Sequence, residues 1–235
     1  MLGQALLAVV ALYVGAIVWR GRTFRIRVSS SAQRTRSQRM TAWALGLGVS
    51  FGIPAVLGLL LLGQDPLAAF QPEAIAVMPG DWALLPTGPL LFGMALGTIA
   101  NAGITHWRWR RGKRAFQIGN FPDILPESRG ALIPAIGLSI SAGVSEELFF
   151  RLFLPLLVAL VFGNAWVGLV IGTAAFGAVH RYQGVRGVVA TTLVGAGLSA
   201  IYAVTGALWM AIAFHVVIDL NALVVRPLAR GAWRA

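Results

Sequence analysis

Apolar residues fall in long runs separated by short polar stretches, and the lengths of those runs set the architecture. The runs cover residues 2–19, 41–63, 84–105, 132–162, 165–179, 187–204 and 207–225. About 20 apolar residues in a helix cross a hydrocarbon core ~30 Å thick. The pattern therefore predicts an all-α polytopic transmembrane bundle of about seven spans. The run at 132–162 has 31 residues, about 46 Å of helix at 1.5 Å per residue. It exceeds the core, so it must tilt, kink or begin inside the cytoplasm. Pro134 and Pro155 are the expected break points.

The charges between the runs orient the chain. Arg20, Arg22, Arg25, Arg27, Arg34, Arg36 and Arg39 follow the first run, and Arg108, Arg110, Arg111, Lys113, Arg114 and Arg129 follow the third. Arg181 and Arg186 follow the fifth, and Arg226, Arg230 and Arg234 follow the seventh. The loop after the second run carries Asp65, Glu73 and Asp81 with no Lys or Arg. Basic loops face the cytoplasm, so the N-terminus is expected outside and the C-terminus cytoplasmic. Of the nineteen basic residues only Arg151 falls within a span. A signal peptide has its positive region first, whereas here the arginines come after the apolar run, which reads as an uncleaved span. Trp19, Trp43, Trp82 and Trp107 lie near span ends, as an interfacial aromatic belt requires. Pro122-Asp123 and Pro126-Glu127 suggest turns before the fourth span.

Composition narrows the class. The chain is 57% hydrophobic and 11% charged, with a mean hydropathy of +0.77, outside the range of soluble domains. It is expected to be an integral protein of a bacterial or archaeal cytoplasmic membrane. The net charge of +11 serves orientation beside anionic headgroups, so no nucleic-acid partner is expected. With no cysteine, disulfides, thiolate metal sites and cysteine nucleophiles are excluded. There is no room for a second folded domain of ordinary size. The chain divides into residues 1–130, three spans with basic loops, and residues 131–235, a four-span core. Gly168 and Gly172, four apart, predict close helix packing. Oligomeric state has no signal in the sequence.

Chemistry concentrates in the core. Glu146, Glu147 and Arg151 sit inside the apolar run at 132–162, His180 ends the fifth span, and His215 and Asp219 lie in the seventh. Each charge at the centre of a bilayer helix costs at least ~2.5 kcal/mol, so these groups need partners, water or a task. Glu147 and Arg151 are four apart and share a helical face, as do Phe176 with His180 and His215 with Asp219. Glu146 is rotated about 100° from Glu147 and meets a different neighbour. An ion pair, an interfacial histidine and a hydrogen-bonded His–Asp pair would each account for one of these features. Together they are too many desolvated groups for packing alone. A glutamate in such a pocket suits the activation of water. The two histidines suit either stabilisation of an oxyanion or, with Glu146, ligation of a metal. The spacing differs from a His-Glu-x-x-His helix, so it does not establish a metal site.

The stretch Glu146-Glu147-Leu148-Phe149-Phe150-Arg151 resembles the first motif, E-E-x-x-x-R, of the CPBP intramembrane proteases. That family includes the type II CAAX prenyl endopeptidases and bacteriocin-processing or immunity proteins. Phe176-Gly177-Ala178-Val179-His180 is similar to the second motif, F-x-x-x-H, and His215-Val216-Val217-Ile218-Asp219 to the third, H-x-x-x-N or D. The resemblance spans residues 131–225. It implies that Glu146 activates the hydrolytic water, that Glu147 with Arg151 supports it, that His180 contributes to catalysis, and that His215 with Asp219 completes an oxyanion-stabilising set. Leu152, where a small residue often follows the Arg, and Asp219, in place of Asn, depart mildly from the pattern. No cofactor is certain. Family members have been described both as metalloproteases and as metal-independent glutamate proteases, so a divalent metal such as zinc on Glu146, His180 and His215 stays open. The expected function is that of an intramembrane endopeptidase acting on a membrane-embedded or lipidated peptide. The competing readings are an ion- or proton-coupled transporter and an inactive immunity or scaffold member of the family.

Overall fold

The computed structural model describes residues 1–29, 35–66, 87–113 and 129–231, and over these the chain is helical, with no strand. The α-helices are α1 (Leu2–Ser29), α2 (Arg36–Leu47), α3 (Ile53–Leu61), α4 (Thr87–Arg110), α5 (Leu132–Glu147), α6 (Leu154–Phe162), α7 (Ala165–Val179), α8 (Val185–Thr205), α9 (Leu208–Leu220) and α10 (Arg226–Ala229). Among the described residues, five stretches are long and apolar enough to cross a membrane: Leu2–Arg20, Arg36–Leu61, Thr87–Arg110, Val185–Thr205 and Leu208–Ala229. The rod at 132–162 is long enough but carries three charged residues, and α7 has only 15 residues. The protein is an integral membrane protein. Glu73, Asp81, Trp82 and the turns at Pro122 and Pro126 lie outside the described residues.

Three rods share a construction that the apolar pattern does not reveal. In each, an α-helix widens into a π-helical turn, at Gly48–Gly52, Leu148–Phe153 and Asn221–Val225, and resumes with a proline at its second residue: Pro54, Pro155 and Pro227. Proline lacks an N–H and its ring collides with the carbonyl four residues back. Widening the turn moves that carbonyl aside, and the residue before each proline donates five back, Ile53 to Gly48, Leu154 to Phe149 and Arg226 to Asn221. Pro155 thus marks the expected irregularity. Pro134 marks none, because it lies in the first turn of α5, where N–H groups have no intrahelical acceptor.

A carbonyl released in this way still needs a donor in a water-poor interior. Four residues before Pro54, the Ser50 carbonyl accepts the Tyr13 hydroxyl at 2.8 Å, which ties α1 to the second rod. The turn at 148–153 is instead covered by α7. A Cβ on Gly172 would lie 2.3 Å from the Phe150 carbonyl oxygen, and one on Gly168 would lie 2.3 Å from that of Pro155. The expected close packing at this glycine pair is therefore present, with the π turn as its partner.

Helix starts differ from the apolar runs where capping decides. The second rod begins at Arg36, not at 41, because Thr35 and Gln38 form a reciprocal capping box. Polar residues at 36–39 extend a helix whose apolar part starts later. At the far end of the fourth rod, Gly163 adopts φ 69° and the Asn164 side chain accepts the Val167 N–H, giving the sharp turn expected there.

The main core is aromatic. Phe51, Phe149, Phe150, Phe153 and Phe176 are buried, with neighbouring ring centroids 4.9–5.6 Å apart. Val10, Ala55 and Leu59 join the same cluster, so α1 and the second rod pack into the core that holds the charged residues. On the other side, a Cβ on Gly143 would meet the Val216 side chain at 2.5 Å, which sets α5 directly against α9. No residue of α4 is buried, and polar groups attach it to the last rod. Asn101 donates to Asn221 at 3.0 Å, and Asn221 donates to Thr98 at 3.1 Å.

Candidate active site

The charged residues are placed by the end of α5 and the wide turn that follows. Glu146 and Glu147 are the last two residues of α5, and Arg151 lies within the turn at Leu148–Phe153. Glu147 and Arg151 are fully buried and pair at 2.9 Å between Oε1 and Nη1. The guanidinium also donates from Nη2 to the Gly195 carbonyl at 3.3 Å and lies over the Phe176 ring, with Cζ 4.0 Å from its centroid. Gly195 leaves room for this contact, since a Cβ there would stand 3.0 Å from Nη2. A charge at this depth persists only with partners of this kind.

The same Glu147 oxygen also accepts from His215 Nδ1 at 2.6 Å. A carboxylate paired with a guanidinium can only accept, so the Nδ1 of His215 carries its hydrogen and Nε2 turns to the other side. Nε2 lies 3.7 Å from Glu146 Oε2 and 3.9 Å from Asp219 Oδ2. These distances exceed a direct hydrogen bond and fall within reach of an intervening water. His180 is fixed by similar logic. Its Nδ1 donates to the Phe176 carbonyl at 2.7 Å, which leaves Nε2 for another partner. Phe176 packs against both imidazoles, with centroid separations of 4.7 Å to His180 and 5.8 Å to His215.

Glu146, His180, His215 and Asp219 line one cavity of about 260 Å³ together with Trp43, Tyr182, Gln183 and apolar residues including Leu138, Val194 and Leu223. Glu147 and Arg151 stand behind its wall. The two adjacent carboxylates thus occupy different environments, one in the cavity and one in the packed core. The cavity lies at the end of the bundle where α2 begins, α7 ends and α9 ends. There Trp43 packs on Tyr182 at 5.3 Å and Arg226 forms part of the wall.

Three features of the site are absent from the motif reading. The principal partner of His215 is Glu147, while the expected partner Asp219 is too far for a direct bond. Motif spacing pairs residues within one helix, and this contact joins two. Trp43 is buried in the second rod and lines the cavity, whereas Trp19 and Trp107 are exposed. Its depth follows from the capping box that starts α2 early. Gln183 and Tyr182 enter because the chain continues past His180 in a tight 3-10 turn, His180–Gln183, that folds them back over the site.

Among the described residues, no group of three His, Asp or Glu side chains converges so as to hold a metal ion. His215 Nδ1 is committed to Glu147, which leaves only Nε2 toward the cavity.

The fold and site define a helical membrane protein with a buried Glu–Arg pair coupled to a histidine beside a second, cavity-facing glutamate. Residues 128–221 match the family model for Rce1-like, type II CAAX prenyl endopeptidase. This segment is similar to that family, a match consistent with the CPBP family of intramembrane proteases, and it contains all six residues described above. No curated protein and no solved structure matches the chain. Rce1-like proteins are a family of proteases, and the match supports a peptidase at family level.

Proposed function

We propose that the protein is an intramembrane endopeptidase in which Glu146 activates water against a peptide bond of a membrane-embedded or prenylated substrate. The observation that carries this reading is the split between the two carboxylates. Glu147 is spent on Arg151 and His215, while Glu146 faces the cavity with both histidines. A water between Glu146 Oε2 and His215 Nε2 gives up a proton to Glu146 as its oxygen attacks the substrate carbonyl. His215, held through Nδ1 by Glu147, presents Nε2–H from its imidazolium form to the oxyanion, and Asp219 beside it supports that charged form. Glu146 then passes the proton to the leaving amine. His180, with its Nδ1 tied to the Phe176 carbonyl, orients the water or leaving group through Nε2.

With the basic end cytoplasmic, the cavity opens to the cytoplasm. Its apolar walls fit a lipid-modified chain drawn from the bilayer. The type II CAAX prenyl endopeptidase match supports the same substrate class.

A transporter would be favoured by helices that unwind in the membrane to expose backbone to an ion. The three rods with prolines widen but remain helical, each turn closing on an N–H donated five residues back, so they do not unwind in this way. The test is cleavage by purified, reconstituted protein of a panel of prenylated and unmodified peptides, with and without chelator. The proposal expects cleavage of the lipidated members and its loss in Glu146→Gln. Cleavage by that variant at the wild-type rate would refute the mechanism, and no cleavage of any membrane peptide would favour the scaffold reading.

A further inference from the structure

A second cavity, of about 290 Å³, lies between the end of α4 and the end of the last rod. Its walls carry Arg108, Lys113, Arg226 and Arg230, with Trp109 and Ile104 beside them and no acidic residue among the described lining. Four cations surround one hollow, and Arg230 is only partly satisfied there. Its Nε is buried without a hydrogen-bond partner among the described residues, and burial, followed by the nearby Arg226 charge, pushes its guanidinium below the ordinary value. Arg226 is positioned, not free: its Nε donates to Asn101 Oδ1 at 3.3 Å, continuing the polar ladder between α4 and the last rod. Lys113 lies over the Trp107 ring at 5.4 Å.

We infer that this hollow is a binding site for a phosphate-bearing anion, of the kind presented by the headgroup of an anionic phospholipid. Three observations support a lipid source. The site lies at the basic end of the span Thr87–Arg110, where a headgroup would sit. At its wall α4 presents Ile104 as an exposed apolar side chain, where an acyl chain would start. The α4 helix also buries none of its own residues, so an anion bridging Lys113 and Arg230 would clamp it to the bundle. Basic residues near anionic lipid contribute about 1 kcal/mol each. Arg226 lines both this hollow and the candidate active cavity, so a bound headgroup lies one side chain from the catalytic chamber.

The test is native mass spectrometry of the full-length protein in detergent, titrated with phosphatidylglycerol or phosphatidylcholine. Wild type should retain phosphatidylglycerol in preference to phosphatidylcholine. The double variant Lys113→Gln/Arg230→Gln should melt like wild type yet bind phosphatidylglycerol about 10- to 30-fold more weakly, following the two charges removed. The control Arg181→Gln/Arg186→Gln, which removes exposed arginines that do not line the hollow, should leave retention unchanged. Inorganic phosphate added in excess separates the sources: displacement of the lipid marks a site that reads phosphate alone, and persistence marks one that also holds the lipid body. Equal retention of the two lipids, or equal loss in the control and the Lys113/Arg230 variant, would overturn the proposal.

Discussion

The rod at 36–61 and the rod at 132–162 are built to the same plan, an α-helix, a wide turn, a proline and a second α-helix, yet only one carries ionisable groups at its turn. Aligned on Pro54 and Pro155, Glu146, Glu147 and Arg151 correspond to Leu45, Gly46 and Ser50. At the first turn the released carbonyl is satisfied by Tyr13, and the position of Glu146 is taken by an exposed leucine. At the second, glycines of α7 press onto the turn and the neighbouring side chains reach His215 and Gly195. The wide turn is therefore a way of housing proline in a membrane helix. Chemistry arises where such a turn is buried among three other helices and its charges find fixed partners.

That comparison can be broken most forcefully at Glu147. Glu147→Ala leaves Arg151 and His215 buried without their shared partner, and loss of one member of a buried pair costs about 3–5 kcal/mol. Unfolding of purified protein in detergent should show this loss, while Gly46→Ala at the corresponding position of the other rod, with open space around its Cβ, should change little. Next in size is the proline itself. Pro155→Ala lets the turn tighten and shifts Glu146 relative to His215, with an expected fall in cleavage of about 10²-fold. Pro54→Ala should leave the cleavage rate within about twofold of wild type, since its turn positions no reacting group. Equal losses in the two would mean that the turns are not functionally distinct. Gly168→Ala drives a Cβ against the Pro155 carbonyl and should destabilise by about 1–3 kcal/mol, read from the thermal midpoint. The smallest effect belongs to Tyr13→Phe, which removes one hydrogen bond to the Ser50 carbonyl and should cost about 0.5–1.5 kcal/mol.

Much of this organisation is legible from residue spacing. Apolar runs reveal the rods because hydrocarbon demands length, and i,i+4 spacing reveals the Glu147–Arg151 pair because a helix fixes it. The wide turns are not legible. A proline in an apolar run signals an irregularity but does not tell a kink from a π turn or a harmless first-turn position, as Pro155 and Pro134 show. Contacts between rods are hidden for a similar reason. The bond from Glu147 to His215 depends on how closely α5 and α9 approach, and that is set by Gly143 against Val216, a pair with no local signature. Trp43 joins the cavity through a capping box upstream of its apolar run, so a reading of hydropathy alone places it at the surface.

The central claim is that two adjacent glutamates divide their work, Glu146 toward water and Glu147 toward the fold. Its most direct test is to measure cleavage of a prenylated peptide and thermal stability together for Glu146→Gln in the reconstituted protein. The account predicts a loss of cleavage of at least about 10²-fold with the melting midpoint unchanged. Wild-type cleavage in Glu146→Gln, or a loss that merely follows unfolding, would contradict it.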